Sequence, residues 1–460
     1  MVSDDVASSS SNTSQRARLA TLPVTLRRRL ASGAALEAGA ALLGMLIRLG
    51  SSLILTRLLF PAAFGLSAMV VTVITGLIMV TDLGIAPAVL RSPHGDRDSF
   101  LGTAYTLQVL RSSALGLVGA ALGWPLAHFM SEPLLVWLMP AGALVSWVHG
   151  LCSMRTLILR RALRLAPLAA LELASQIGGA LVTIAAARMG LGVWSLVWGA
   201  VSTAVVSTAA SFALPSTYRD RFAWDPDARR EIVQFGRWIM ASSALTFAGA
   251  RGDQLVLARL LGAGALGFYN VALALSEAVE SVVSRVSSSV IFPVFAELHN
   301  RAPGDLRAAY YRTRLVFDAL SHGALGGLFG ISSWLIALLY DARYEPAGPM
   351  LQALAARASL GCWASACEVA LLAQGLSVVQ FRRNAAVTAG VVVCMPLGFW
   401  LAGPLGLLWG TVAARVLAFL VLFPPAHQQG LFRLARELMV LVFFASGAAL
   451  GALLSSVLPR

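Results

Sequence analysis

The chain has 460 residues, of which 58% are hydrophobic and 12% are charged, and its mean hydropathy is +0.76. These values exclude an ordinary soluble domain and indicate a polytopic membrane protein. The formal net charge of +13 would suit a nucleic-acid-binding protein, but the basic residues, all of them arginine, fall mainly in alternate predicted loops, so we expect no nucleic-acid partner.

The chain begins with a polar segment and continues with thirteen apolar stretches. Residues 1–30 lack the apolar region of a signal peptide, which predicts a disordered cytoplasmic tail. Each later stretch is about 18 to 25 residues long, enough for a membrane-spanning helix, and none shows the alternation of a membrane β-barrel. The sequence therefore predicts an all-α polytopic membrane protein. The centres of the stretches lie near residues 47, 75, 112, 143, 177, 202, 247, 279, 327, 361, 393, 414 and 446.

The arginines predict the orientation of these helices. They concentrate in the N-terminal segment and in the loops predicted on the same side of the membrane, whereas the opposite side carries few. Because cytoplasmic loops are enriched in basic residues, we expect a cytoplasmic N-terminus. The arginines predicted outside are Arg57, Arg188, Arg259, Arg343 and Arg460.

An internal repeat divides the chain into two halves. Residues 50–65 match residues 252–267 at eight positions with a constant offset of 202, and Trp198-Gly199 returns as Trp409-Gly410 at an offset of 211. Such repeats are typical of transporters. We therefore expect two pseudo-symmetric six-helix lobes, about twelve core helices, and one additional C-terminal helix. The predicted boundaries are residues 31–215 for the first lobe, 216–234 for a cytoplasmic linker, 235–424 for the second lobe and 425–460 for the extra helix.

Charged side chains at membrane depth are the candidate functional residues, because their burial in lipid is costly unless they face a partner or a wet cavity. On helix eight, the predicted span centred near residue 279, Glu277, Glu280 and Arg285 share one face with four serines, so we expect that face to be wet. An alternative is that these charges form buried ion pairs that fix helix packing. The candidates in the first two helices of each half are Glu37, Arg48, Asp82, Arg251, Asp253, Glu277, Glu280 and Arg285.

Other polar positions carry weaker signals. Asp318 and His322 are spaced for an i, i+4 contact and could relay a proton, but an interfacial pair is favoured because they follow a basic loop. We interpret the four cysteines as small buried side chains, so we expect no metal, disulfide or cofactor. The predicted loops leave no room for a catalytic domain, so the protein is not expected to be an enzyme. Single intramembrane charges without an identified partner are Arg111, Glu172, Arg357, Glu368 and Arg415.

Several segments together resemble the Wzx-type lipid-linked oligosaccharide flippases, the polysaccharide transporters of the multidrug/oligosaccharidyl-lipid/polysaccharide exporter superfamily. These segments include TDLGIAPAVLR (81–91), GDQLVLARLLGAGALGFYNVALAL (252–275) and LYDARYEPAGPMLQALA (339–355). The resemblance implies two lobes around a central cavity that opens alternately to either side. It also implies a location in the bacterial cytoplasmic (inner) membrane and a substrate, an undecaprenyl-pyrophosphate-linked oligosaccharide that is moved outward for exopolysaccharide, capsule or O-antigen synthesis.

The resemblance assigns roles to some of the candidate charges. Cationic residues in the first helix of each lobe would line the cavity, which implies substrate binding by Arg48 and Arg251, and the polar face of helix eight adds Arg285. The acids would either orient these arginines or take up a coupling cation, H⁺ or Na⁺. Expected partners are the lipid-linked oligosaccharide, membrane lipids, and a polysaccharide polymerase with its export machinery. The acids concerned are Asp82, Asp253, Glu277 and Glu280.

Three other classes were considered. A multidrug exporter of the same superfamily, the main alternative, would favour an acidic cavity because its substrates are cations. A polysaccharide polymerase or ligase would need a large external loop, which the sequence lacks. A membrane scaffold would have no use for the costly polar face on helix eight.

Overall fold

The computed structural model describes residues 24–286, 303–373, 376 and 378–457. Within these residues the chain forms helices and no strands, which confirms the all-α prediction. The helix α1 begins at Val24, so residues 24–30 are helical, and residues 1–23 of the predicted tail lie outside the described part. The first half contains nine helices: α1 (Val24–Leu58), α2 (Pro61–Val80), α3 (Ile85–Arg91), α4 (Asp98–Ala121), α5 (Gly123–Met130), α6 (Leu135–Gly150), α7 (Arg155–Arg161), α8 (Ala166–Arg188) and α9 (Val193–Phe212).

The second half is built from fewer but longer helices, two of which are broken. The helix α10 breaks at Gly262 and α13 breaks at Ala402 and Gly403, where the backbone leaves the helical conformation. Each therefore has a first and a second arm: 226–261 and 263–286 in α10, and 378–401 and 404–428 in α13. The helices of this half are α10 (Pro226–Val286), α11 (Pro303–Leu339), α12 (Ala347–Ala373), α13 (Val378–Gln428) and α14 (Leu434–Val457).

All thirteen predicted spans fall on one of these helices or on one arm of a broken helix. The two arms of α10 carry the spans centred near 247 and 279, and the two arms of α13 carry those near 393 and 414. Eight helices, counted with both arms of α10 and of α13 together, are long and apolar enough to cross a membrane within the described residues. The protein is therefore a multi-pass membrane protein with a twelve-helix core and one further helix at its C-terminal end.

The two breaks fall where the internal repeat requires them. Gly262 is the repeat equivalent of Phe60, which separates α1 from α2. At the offset of 211, Gly403 is equivalent to Gly192, the residue before α9. Their backbone angles agree closely, with φ 57° and ψ −131° at Gly192 against φ 61° and ψ −144° at Gly403. Positive φ of this kind is accessible mainly to glycine, so the same local constraint has kept glycine in both halves.

Helix packing repeats as well. In α8 and α9, Gly179 lies so close to Thr203 that a Cβ at Gly179 would overlap the Thr203 side chain. At the offset of 211, the two arms of α13 place Gly390 against Ala414, where a Cβ would stand 2.7 Å from the Ala414 Cα. The last helix pair of each lobe thus packs through equivalent residues. This supports pseudo-symmetric lobes from packing as well as from sequence.

The lobes meet at a pair of symmetric glycine contacts. A Cβ at Gly65 would overlap the carbonyl oxygen of Ala263, and a Cβ at Gly267 would overlap that of Pro61. Gly65 and Gly267 are repeat equivalents, and so are Pro61 and Ala263. The first turns of α2 and of the second arm of α10 therefore cross backbone to backbone about a local pseudo-twofold axis. We call this end of the molecule the turn face, and the opposite end, which carries residues 213–225, the linker face.

Between the turn face and the linker face, α2 packs side by side with the first arm of α10. The Thr72 hydroxyl donates a 2.6 Å hydrogen bond to Gln254 Oε1, and Gly76 lies against the Phe247 ring. We call this contact between α2 and the first arm of α10 the seam. The pseudo-twofold axis would relate it to an equivalent contact between α1 and the second arm of α10. No contact of similar extent joins those two segments among the described residues. The symmetry-related pair is therefore not packed in this structure, and we call the space between α1 and the second arm of α10 the cleft.

The inter-lobe segment 213–225 is packed onto the first lobe. Asp220 accepts a 2.5 Å hydrogen bond from the Ser153 hydroxyl, and Asp225 accepts hydrogen bonds from backbone N–H groups at the start of α10, including that of Ala228. These backbone donors hold the pKa of the Asp225 carboxyl below its usual value. The first arm of α10 begins at Pro226, inside the range predicted for the linker.

The extra helix α14 is part of the second lobe. It packs along α11 through small residues, since a Cβ at Gly326 would overlap the Phe444 carbonyl oxygen and a Cβ at Gly447 would overlap that of Gly323. Close backbone approach of this kind is the main source of helix association in lipid. α14 is the partner with which α11 makes its most extensive contact.

Candidate functional site

One of the predicted substrate-binding arginines, Arg48, lies on a helix that borders the cleft, and a second, Arg251, is paired to the bordering second arm of α10. Arg251, on the first arm of α10, forms a 3.1 Å ion pair with Glu277 on the second arm. The side chains are 38% and 45% exposed, so both are accessible. Arg48, on α1, is exposed and has no ion-pair partner among the described side chains. The side chain of Arg285 and residues Ser287 and Ser288 lie outside the described part of the structure.

Asp253 occupies a different environment from Arg251, although the two are only two residues apart. Its carboxylate is 2% exposed and accepts 2.5 Å hydrogen bonds from Arg357 Nη1, on α12, and from the Tyr269 hydroxyl. A rotation of about 200° separates residues i and i+2 on a helix, so the two side chains point to different sides. Asp253 therefore connects both arms of α10 to α12, while Arg251 faces a more open space.

Glu280 and Arg415 are two further charged side chains in this lobe, within electrostatic range of each other. Glu280 is half-buried, and its Oε1 would stand 3.4 Å from a Cβ at Gly361 of α12. Arg415, on the second arm of α13, lies within electrostatic range of both Glu280 and Asp253. The described cleft-side charges of the second lobe thus balance: Arg251, Arg357 and Arg415 against Asp253, Glu277 and Glu280.

Asp82 lies in the first lobe and contacts none of the predicted substrate arginines. Its Oδ1 lies 3.6 Å from Arg111 Nη1 and accepts a 3.0 Å hydrogen bond from the backbone N–H of Gly84. Arg111 also donates to the backbone of α2, at the Ile78 carbonyl oxygen, over 2.7 Å. These contacts connect α2 to α4 and bridge the turn before α3.

The partners of the other single charges could not be identified from the sequence. Glu368 pairs with Arg383 across 2.5 Å, joining α12 to α13. Glu172 accepts a 3.0 Å hydrogen bond from Gln176, one turn along α8. Arg357, which the sequence analysis left without a role, is the direct partner of Asp253. Its only sequence signal was the isolation of an arginine in an apolar span, which indicates a buried acidic partner without identifying it.

A second polar cluster lies inside the lobe. Arg314 makes a bidentate pair with Glu437 of α14, over 2.7 and 2.5 Å, and its Nε donates to Asp318 over 2.8 Å. Asp318 and His322 form the predicted i, i+4 pair, but they are 5% and 0% exposed. The prediction of an interfacial pair was therefore wrong: the two side chains are buried inside the protein, because α14 and α12 cover this part of α11. The Trp363 indole also donates to Glu437.

The cleft is closed at the turn face by the segment between α11 and α12. There Arg343 donates to the Arg57 carbonyl oxygen over 3.2 Å, and the Tyr344 hydroxyl donates to the Leu59 carbonyl oxygen over 3.2 Å. The Arg343 guanidinium also lies 5.2 Å from the centre of the Phe60 ring. The second lobe thereby covers the junction between α1 and α2 in the first.

The chain was compared with known proteins. A family model described as "Polysaccharide biosynthesis protein" matches residues 54–349. The chain is 23% identical over 414 residues to the lipopolysaccharide biosynthesis protein WzxC of Escherichia coli strain K12, covering 87% of this chain and 82% of that protein. It is 24% identical over 303 residues to the succinoglycan biosynthesis transport protein ExoT of Rhizobium meliloti, covering 66% of this chain and 60% of that protein.

The fold is also found among solved structures. An inward-facing multidrug resistance transporter of the MATE family, from the MOP superfamily, superimposes with a TM-score of 0.63 at 15% identity, covering 87% of this chain and 95% of that one. At this identity the likeness concerns the fold alone. The family match extends over more than half of the chain, and the named relatives are polysaccharide biosynthesis and transport proteins. The chain therefore belongs to this polysaccharide biosynthesis family, and it shares its fold with a transporter of the MOP superfamily.

Proposed function

We propose that the protein is a flippase rather than an enzyme. Its substrate would be an undecaprenyl-pyrophosphate-linked oligosaccharide repeat unit, which it moves outward across the bacterial inner membrane for surface polysaccharide synthesis. The observation that carries this proposal is a pair of accessible arginines in a chain related to WzxC and ExoT. Arg48 lies on α1, which borders the cleft, and Arg251 forms its ion pair with Glu277 on the other bordering segment, the second arm of α10. A pyrophosphate leaving the headgroup region needs cationic, multidentate partners, which arginine provides at any physiological pH.

The proposed movement is alternating access by the lobes 31–215 and 235–424. In the described state the turn face is closed by Arg343, Tyr344 and the crossing of Gly65 with Gly267, while α1 and the second arm of α10 lack a seam. A lipid-linked substrate could enter the cleft between those two segments with its isoprenoid chain still in the bilayer. Opening at the turn face would then require the glycine crossing and the Arg343 contacts to separate.

The proposed orientation places the linker face in the cytoplasm, as the arginine distribution predicts. The linker face carries many of the exposed arginines, whereas the described turn face carries few. Ser216 lies in the inter-lobe segment, so a cysteine placed there should resist an impermeant maleimide applied to intact cells and react after the membrane is permeabilised. Reaction of this cysteine with the reagent in intact cells would contradict the proposed orientation.

Replacement of Arg251 or Arg48 with alanine should reduce polymer export at least tenfold while leaving the amount of inserted protein unchanged. Arg251→Lys and Arg48→Lys should restore part of the export, because they keep the charge but lose the bidentate fork. Export would be measured as surface polysaccharide in cells that lack the chromosomal copy.

Arg259→Ala is a suitable control, since Arg259 is an exposed arginine on the same arm of α10 that stacks over Phe129. We expect near-normal export from this variant. Normal export from both the Arg251→Ala and the Arg48→Ala protein would remove the proposed anion-binding role, and these arginines would then be packing or surface residues.

A further inference from the structure

The cluster inside the second lobe contains two buried polar atoms that lack partners. Asp318 Oδ2 accepts from Arg314, but Oδ1 has no hydrogen-bond partner. His322 Nδ1 is hydrogen-bonded to the Ser359 hydroxyl over 2.7 Å, but Nε2 has no partner. The two orphaned atoms lie 3.7 Å apart. An unsatisfied buried polar atom is costly, so a pair of them facing each other calls for an explanation.

The charges of the cluster do not balance unless His322 is protonated. The two carboxylates of Asp318 and Glu437 face a single guanidinium, that of Arg314, which leaves one uncompensated negative charge among the described side chains. A buried uncompensated charge is strongly unfavourable. Among the described side chains, the other charged or titratable groups on the elements packed against α11 are paired with one another, exposed or uncharged. They are the pairs Arg357–Asp253, Arg383–Glu368 and Arg251–Glu277, the mutually attracting Glu280 and Arg415, the exposed Arg433 and Arg436, and the neutral Cys362, Cys367, Tyr310 and Tyr311.

A proton on His322 Nε2 would satisfy both orphaned atoms. The neutral tautomer with its single proton on Nε2 would satisfy them as well, so the excess negative charge is what requires an added proton. Bound at His322 Nε2, it would form a charge-assisted hydrogen bond to Asp318 Oδ1 and cancel the excess negative charge. A sodium ion fits less well, because alkali cations prefer several oxygen ligands, and imidazole in place of a second carboxylate selects for a proton.

We propose that His322 and Asp318 form a proton-binding site through which the second lobe couples to a transmembrane proton gradient; the coupling to transport rests on the flippase function proposed above. Binding adds one proton to the imidazole, and release returns it, with no other change of bonding. Closing the 3.7 Å gap would shift His322 relative to Ser359 on α12. The same helix carries Arg357, the partner of Asp253, which gives a physical connection from the proton site to α10 at the cleft.

The test uses the full-length protein in liposomes without any substrate. A rapid pH step is applied to proteoliposomes adsorbed on a solid-supported membrane electrode, and the transient charge displacement is recorded. We expect a clear transient from the wild type and one at least tenfold smaller from His322→Gln and from Asp318→Asn. His427→Gln is the matched control, because His427 is an exposed histidine stacked on Phe423, and it should leave the transient unchanged.

A second variant distinguishes loss of the proton site from misfolding of the protein. Ser359→Ala keeps both titrating groups and removes only the hydrogen bond to Nδ1, so it should retain the transient but shift its half-maximal pH. A His322→Gln protein that is monodisperse and still gives the wild-type transient overturns the proton site. Loss of the transient with polymer export unchanged in cells overturns the coupling. Since the electrical measurement needs no oligosaccharide, a transient that depends on His322 stands even where the flippase assignment fails.

Discussion

Replacing Arg314 with alanine should lower the free energy of unfolding by about 3–5 kcal/mol, the effect typical of removing one member of a buried ion pair. The residue holds Glu437 of α14 by two hydrogen bonds and Asp318 by a third, and all three side chains are buried. Its loss would leave two carboxylates without a cation, and the contact between α11 and α14 would weaken. The change would be measured by denaturant titration of the purified protein in mixed micelles.

Arg433→Ala is the control for this prediction. Arg433 is an exposed arginine of the same region and lies 5.4 Å from the centre of the Tyr311 ring. An exposed contact of this type contributes about 0.5–1 kcal/mol. If the Arg314→Ala protein unfolds at the same denaturant concentration as the Arg433→Ala protein, the buried cluster does not stabilise the lobe, and α14 is held by glycine packing alone.

Cross-linking the two lobes at the turn face should stop export almost completely, because alternating access requires this face to open. Phe60→Cys in the first lobe and Arg343→Cys in the second are suitable, since the native side chains are in contact and both are at least partly exposed. In a background without the four native cysteines, a short cleavable bismaleimide should reduce export at least tenfold. Cleavage of the reagent should restore it.

The matched control places both cysteines in one lobe, at Asp341 and Arg343, where cross-linking leaves the lobes free to separate. Arg343→Cys alone tests whether loss of its contacts to Arg57 and Phe60 changes export. Export at the wild-type rate from a fully cross-linked Phe60/Arg343 pair would exclude opening at this face. Gly262, the repeat equivalent of Phe60, is unsuitable for cysteine because its φ of 80° would strain any side chain.

Much of the fold could be predicted from the sequence because the bilayer imposes a simple length requirement on apolar segments. The helix breaks were not predicted, although they fall at positions that the repeat relates, since Gly262 and Gly403 correspond to Phe60 and Gly192. The seam between α2 and the first arm of α10 could not be predicted, because it depends on which of two symmetric pairings the lobes adopt in this state.

The partners of the buried charges were the least predictable part of the site. Asp253 and Arg251 are neighbours on one helix, yet Asp253 pairs with Arg357, 104 residues away, and Arg251 pairs with Glu277. Helical geometry excludes the local pair but does not say which distant helix supplies the partner. Likewise, the basic loop before α11 suggested an interfacial Asp318, whereas Glu437 at the start of α14 shows that a later helix covers it.

The central claim, outward movement of a lipid-linked oligosaccharide, is tested most directly by locating that lipid in cells from which the protein has been removed. Spheroplasts would be treated with a membrane-impermeant carbohydrate-oxidising reagent, and the labelled and total lipid-linked repeat units would then be extracted and compared. We predict that repeat units accumulate unlabelled on the cytoplasmic leaflet, that surface polysaccharide is depleted, and that the wild-type gene reverses both. Normal labelling and normal surface polysaccharide, together with new sensitivity to cationic drugs, would contradict the flippase assignment and support a multidrug exporter.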